Sequence, residues 1–298
     1  MTIIQSRPGS GTPEQSLLAL AVPREDRCMN LALLLLLAAC RVAAPLPEGD
    51  AFVRGLVSAQ RHREAELSRY SYDVSEVRDE LDGDGRVRKR RTRDFEVFVV
   101  RGQPVRRLVA RDGRALSGRE RDEQERHARE LAEALAAGKA AIEEPRVRLS
   151  QMLERYRFLA VTREELDGRC AIAFDFTAVP ADFALERDAL LRRLAGRLWV
   201  DEAEHALMRV EVRNTSRIKL ALGAFASISS LQFRIEFTRQ PDGVWLPRLV
   251  ESQAVGRKFL VSGFRVRTTT RYARYRRFEV EVQEKVHEAP GGRPNELW

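Results

Sequence analysis

Leu231, Phe233, Ile235 and Phe237 alternate with Gln232, Arg234, Glu236 and Thr238. A period of two puts every apolar side chain on one side of an extended segment and every polar one on the other. This is the mark of an antiparallel sheet that is wet on one face and covered on the other. The same alternation recurs along the chain. Tyr70, Tyr72 and Val74 interleave with Ser71, Asp73 and Ser75, while Phe95, Val97 and Val99 form one face of a second segment and Ile172, Phe174 and Phe176 of a third, Cys170 to Ala178. Asp82-Gly83-Asp84-Gly85 joins the first two as a hairpin turn, and Gln240-Pro241-Asp242-Gly243 is a turn of the x-Pro-Asp-Gly kind. Further strands are expected at 105–111, 197–201, 206–214, 230–238, 244–253 and 259–275. The chain therefore reads as one α+β domain with about 9–11 antiparallel strands.

Helical spacing is confined to a few segments. Phe52, Val53, Leu56, Val57 and Ala59 give one amphipathic helix over 51–69. Ser117 opens a charged helix, 118–141, and Glu120 completes a capping-box spacing. Pro145 suits the first position of another helix through Val147, Leu149, Met152, Leu153 and Tyr156. A further short helix is expected over 182–194.

Upstream of these elements, Leu31 to Ala39 reads LALLLLLAA, too short for a membrane span but right for the apolar core of an export signal. Cys40 follows at once. Leu37-Ala38-Ala39-Cys40 resembles the lipobox of bacterial lipoproteins, which makes Cys40 the expected lipidation site and the first residue of the mature chain. The expected organisation is an N-terminal extension and signal (1–39), a Pro/Gly-rich tether (40–50), the folded domain (51–285) and a flexible tail (286–298). With Cys28 removed and Cys40 acylated, Cys170 is expected to have no disulfide partner and to be a structural thiol.

The 52 basic residues exceed the 44 acidic ones for a net charge of +8, and only five of the 52 are lysines (89, 139, 219, 258 and 285). Acids are spread through the same segments, which argues against the dense cationic stripe of a nucleic-acid binder; no nucleic-acid partner is expected. The exported domain keeps the excess charge, which suits weak attraction to anionic lipid. The arginines from Arg265 to Arg277 lie along a strand and read as a solvated face. Histidines 62, 127, 205 and 287 are isolated, and no nucleophile elbow, Walker loop or dinucleotide motif occurs. At Asp82 to Gly85 a calcium loop would need oxygen ligands where Arg86 and Arg93 stand. No catalytic residue, metal or cofactor is expected, and the chain is read as non-enzymatic.

An export signal, a helix, a hairpin, inserted helices and a long closing meander with Gly243-Val244-Trp245-Leu246-Pro247 and Tyr272, Tyr275 and Phe278 together resemble the LolA-like periplasmic lipoprotein carriers and outer-membrane lipoprotein-sorting proteins. The resemblance covers about residues 50 to 285. It implies a strongly curved antiparallel sheet, an incomplete β-barrel, with helices covering the concave face. It also implies an apolar concavity for a lipid or acyl chain, for which the lining candidates are Phe95, Val97, Phe174, Phe176, Leu231, Phe233, Ile235 and Phe237. The implied setting is the periplasmic side of the cell envelope, held to a membrane, the outer rather than the inner, through the N-terminal lipid, with envelope proteins as further partners. The alternative is a scaffold or protein-interaction module whose barrel is filled and binds nothing.

Overall fold

The computed structural model describes residues 45–139, 149–179, 190–220, 226–258 and 262–278. Contacts divide the chain into Met1–Ala43 and Ala44–Trp298, and everything described belongs to the second unit. The expected signal, Cys40 and the tail after 285 lie outside the described residues.

Chain order runs α1 (Gly49–Leu67), β1 (Tyr70–Leu81), β2 (Val87–Val100), β3 (Gln103–Arg111), β4 (Arg114–Ala115), α2 (Gly118–Ala136), α3 (Leu149–Leu153), β5 (Tyr156–Leu166), β6 (Arg169–Ala178), β7 (Leu194–Asp201), β8 (Leu207–Asn214), β9 (Ile218–Leu220), β10 (Ala226–Arg239), β11 (Trp245–Lys258) and β12 (Ser262–Arg277). All twelve described strands belong to one sheet, in the order β4-β3-β2-β1-β12-β11-β10-β8-β7-β6-β5, with β9 pairing to β10. Every pairing is antiparallel, and β4 and β5 form two open edges rather than a closed barrel.

The alternation predicted from sequence is realised across the sheet. Phe174 faces Leu198, Leu198 faces Val210, Val210 faces Ile235 and Ile235 faces Val250, so one apolar face runs through five strands. Helix α1 packs on this face. Val53, Leu56 and Val57 join Phe174, Leu198 and Val210 in the main core, and the Phe52 ring stacks on Phe174 at 5.2 Å. A second cluster under β1, β2 and the end of β12 contains Tyr70, Tyr72, Val74 and Val97. Polar bonds hold α1 in place. Asp50 accepts the Phe158 N–H at 2.9 Å, Glu64 accepts the Ser150 N–H and hydroxyl, and Arg63 donates to the carbonyls of Glu204 and His205.

Helix α2 departs from the expectation that the helices share one face. Its Ala128 and Leu135 pack with Val105 and Phe98, which alternate with Val97 and so point to the opposite side of the sheet from it. A helix of its composition buries only the thin stripe of Ala128, Leu131, Ala132 and Leu135, which the small apolar patch on β2 and β3 can cover.

Several boundaries also differ. Ser117 stands at the N-cap of α2, but its side chain makes no capping bond. The helix expected from Pro145 to Tyr156 is only Leu149–Leu153 in its described part, and Tyr156 begins the edge strand β5. The 182–194 helix lies largely outside the described residues; Leu191–Arg193 is a single 3-10 turn and Leu194 already belongs to β7. Cys170 is disulfide-bonded, contrary to the expectation of an unpaired thiol, and its partner lies outside the described residues.

Candidate functional site: an ionic trough across the sheet

On the face opposite α1, two rows of side chains run perpendicular to the strands. The first is Asp175, Arg197, Glu211, Arg234 and Glu251, each opposite the next on β6, β7, β8, β10 and β11. Charge alternates strictly along it. Arg197 Nε stands 3.9 Å from Asp175, and Arg234 stands 3.7 Å from Glu211 and 3.9 Å from Glu251. The second row is Ala195, Arg213, Gln232, Gln253 and Arg267, one row further along β7, β8, β10, β11 and β12.

Between the rows lies a trough of about 730 Å³. Its floor is formed by the intervening residues Gly196, Val212, Phe233 and Ser252, whose side-chain positions point to the other face. At about 4.8 Å between neighbouring strands, a row of five residues spans roughly 20 Å. That matches six or so residues of an extended chain at about 3.3 Å each.

The first row is anchored from its side, by the next row on the same face. Glu236 is 5 % exposed and receives Arg209 at 3.4 Å and Arg248 at 2.9 Å, with Arg234 on the same carboxylate. Arg197 donates to Thr162 Oγ1 at 2.8 Å, and both Arg197 and Arg209 lie 5.6 Å from the Trp199 ring centre. Yet the Nε groups of Arg197, Arg209 and Arg234 are buried with no hydrogen-bond partner. A buried N–H without an acceptor costs on the order of 1–3 kcal/mol. The guanidiniums are thus held in place but not satisfied, and Arg213 at the rim is exposed without a carboxylate partner among the described residues. Carboxylates, guanidiniums and amides bind and orient by charge and hydrogen bonding; the lining carries no histidine or cysteine.

The residues expected to line an apolar concavity are divided by the structure. Phe174, Phe176 and Phe237 are buried in the main core, with Leu231, Phe233 and Ile235 packed half-buried against it; Val97 and Phe95 belong to the second cluster. Phe176 and Phe233 border the trough, from its floor. Near Phe95, Glu76 is bonded to Arg93, and the Arg106 guanidinium lies 4.3 Å from the ring centre. The arginines read as a solvated face are largely tied to carboxylates, Arg267 to Asp79, Arg274 and Arg276 to Asp73, and Arg277 to Glu66. The trough itself was not predicted from the sequence. Each of its charges looks like an ordinary solvent-face residue of its own strand, and only the register of five strands puts them in a row.

No protein-family model and no curated protein matches the sequence. Among solved structures, the chain is similar to an outer membrane lipoprotein-sorting protein domain from Vibrio parahaemolyticus, at 11 % identity and a TM-score of 0.35, over 77 % of this chain and 93 % of that one. It is similar to a LolA superfamily protein from Nitrosomonas europaea at 9 % identity and a TM-score of 0.32, over 76 % and 94 %. It is also similar to a chain of the Pseudomonas aeruginosa MucA/MucB complex at 15 % identity and a TM-score of 0.23, over 73 % and 94 %. Among the described residues no helix is long and apolar enough to cross a membrane.

Proposed function

We propose that this chain is a non-enzymatic binding domain of the cell envelope, and that the ionic trough holds an extended, polar segment of a partner polypeptide carrying both signs of charge. The observation behind this reading is the alternating row Asp175, Arg197, Glu211, Arg234, Glu251, whose charges approach at 3.7–3.9 Å without closing hydrogen bonds and whose arginine Nε groups lack acceptors. A partner supplying carboxylates or backbone carbonyls would pair with the solvent-facing parts of the Arg197 and Arg234 guanidiniums and with the exposed Arg213. Selection from a display library of random peptides tests it. Peptides of mixed charge should be enriched on the wild-type protein and lost on Arg234→Glu; enrichment that is the same on both proteins rejects the reading.

A second reading, the binding of a lipid or acyl chain, is favoured by one observation on the other face. Leu231, Phe233 and Ile235 form an apolar row that remains only half-buried beside the fully packed Phe174. Mass spectrometry of lipid extracts from the purified protein decides it, since a site for acyl chains should retain some from the cell.

The lipid anchor rests on the sequence around Cys40. Cys40→Ala should move the protein to the soluble fraction and abolish labelling by a fatty-acid analogue; unchanged fractionation rejects the anchor.

A further inference from the structure

At one end of the sheet the central strands outrun their neighbours. Pairing of β3 with β2 reaches only Arg93, and pairing of β8 with β10 only Gln232. Beyond those points β2 continues back to Val87, β1 on to Leu81, β10 back to Ala226, β11 on to Lys258 and β12 back to Ser262, with β9 beside β10. The projecting end is rich in cations. Arg86, Lys89, Arg217, Lys219 and Arg257 are exposed there, and Arg265 lies close to the β1–β2 turn, its Nη1 3.9 Å from where a Cβ on Gly85 would stand. None of these six has a carboxylate partner among the described residues.

The acids of the same end are mostly occupied. Glu80 is shared by Arg88 and Arg91, and Asp82 Oδ1 accepts the backbone N–H groups of Asp84 and Arg86 at 3.0 and 2.9 Å, leaving Asp84 alone facing solvent. Elsewhere on the sheet many arginines are matched to carboxylates, and others without one among the described residues, Arg78, Arg157, Arg213 and Arg271, are scattered over four strands rather than gathered at one end. It is accompanied by apolar exposure: Val87, at the start of β2, is 44 % exposed.

We infer that this end of the sheet docks on the surface of an anionic phospholipid bilayer. Unpaired Lys and Arg side chains beside the exposed Val87 suit a charged interface, and the attraction is worth roughly fivefold in partitioning for each basic side chain brought to the surface. The contact is independent of what occupies the trough.

The test is co-sedimentation of the full chain, carrying Cys40→Ala so that no acyl group can form, with vesicles of phosphatidylcholine alone or mixed with phosphatidylglycerol. Binding should require phosphatidylglycerol and weaken with salt. Arg86→Gln, Lys89→Gln and Arg257→Gln together should reduce it roughly a hundredfold, and Arg217→Gln with Lys219→Gln roughly twenty-fivefold. Removing the same charge from α2 through Arg119→Gln, Arg126→Gln and Arg129→Gln should leave it little changed. Equal binding to phosphatidylcholine, an equal loss in the α2 variant, undiminished binding by both end variants at wild-type unfolding midpoints, or full competition by duplex DNA at matched phosphate would each overturn the inference.

Discussion

Arg267 and Asp79, 188 residues apart in sequence, meet across β12 and β1 through a 2.9 Å hydrogen bond, and Arg90 donates to the same carboxylate from β2 on its other side at 2.7 Å. Three strands are therefore clamped by one acid that is 3 % exposed. The Arg90 hydrogen bond, and after it that of Arg267, outweighs the cost of burial and holds the Asp79 pKa down at about 2, from 3.8. A depressed carboxylate pKa stabilises the fold fully above the unfolded value, and that contribution is lost as pH falls through the folded one. Both arginine partners are about half exposed, so solvent screening limits the effect to on the order of 1–2 kcal/mol. Denaturant unfolding from pH 7 downward should show this loss below about pH 4, and Asp79→Asn should flatten that limb.

Asp201 plays a comparable part at the other end of the sheet. Its side chain, 2 % exposed, bonds to Arg169 and caps the β7–β8 turn by accepting the N–H groups of Ala203 and Glu204. Burial would raise its pKa, but the Arg169 and backbone bonds together hold it below the ordinary value. In the same turn Glu204 accepts Trp245 Nε1 at 2.8 Å and Arg239 Nε at 3.0 Å, so β6, β7, β10 and β11 converge there. Asp201→Ala would leave Arg169 and two turn amides without their acceptor. A stability loss of about 3 kcal/mol is expected, read as a lower denaturant midpoint at unchanged slope.

Where alternation is clean and turns carry Gly or Asp, the sequence told the fold directly. β10 and β11 around Asp242-Gly243, and β1 and β2 around Asp82 to Gly85, are found within a few residues of their expected places. β5 was illegible because Leu149, Met152, Leu153 and Tyr156 keep helical spacing up to its first residue, and a register shift between Ala160 and Thr162 breaks its period of two. The opposite placement of α1 and α2 was hidden for another reason: an amphipathic stripe states that a helix packs, not on which side of a sheet. The apolar row of Leu231, Phe233 and Ile235 was visible from one strand, whereas the trough depends on register among strands up to 92 residues apart, as Asp175 and Arg267 are.

Gly196 marks one place where register is enforced by size. It pairs with Phe176, and a Cβ there would stand 1.9 Å from the Glu211 carbonyl oxygen and 2.7 Å from the Phe176 ring. The backbone oxygen cannot yield as a flexible side chain would. Gly196→Ala should therefore cost about 3 kcal/mol or more, and it should also disturb the trough floor. Thermal unfolding checks the first outcome, and reduced binding of a trough-selected peptide in the folded fraction checks the second.

Phe174 and Phe233 separate core from surface along the same apolar face. Phe174 is fully buried and stacks with Phe52 of α1, so Phe174→Ala removes the centre of the packing between helix and sheet. A loss of about 3–5 kcal/mol is expected, as for other buried Phe truncations. Phe233 is only half-buried and packs at the margin of the core, so Phe233→Ala should cost on the order of 1–2 kcal/mol and leave the domain folded. This difference makes Phe233 the usable probe of the lipid reading. If acyl chains lie on the half-buried row, Phe233→Ala should lower the lipid recovered with the protein while its circular dichroism stays that of the wild type. Unchanged recovery, beside a strongly destabilised Phe174→Ala, would leave this face as packing alone.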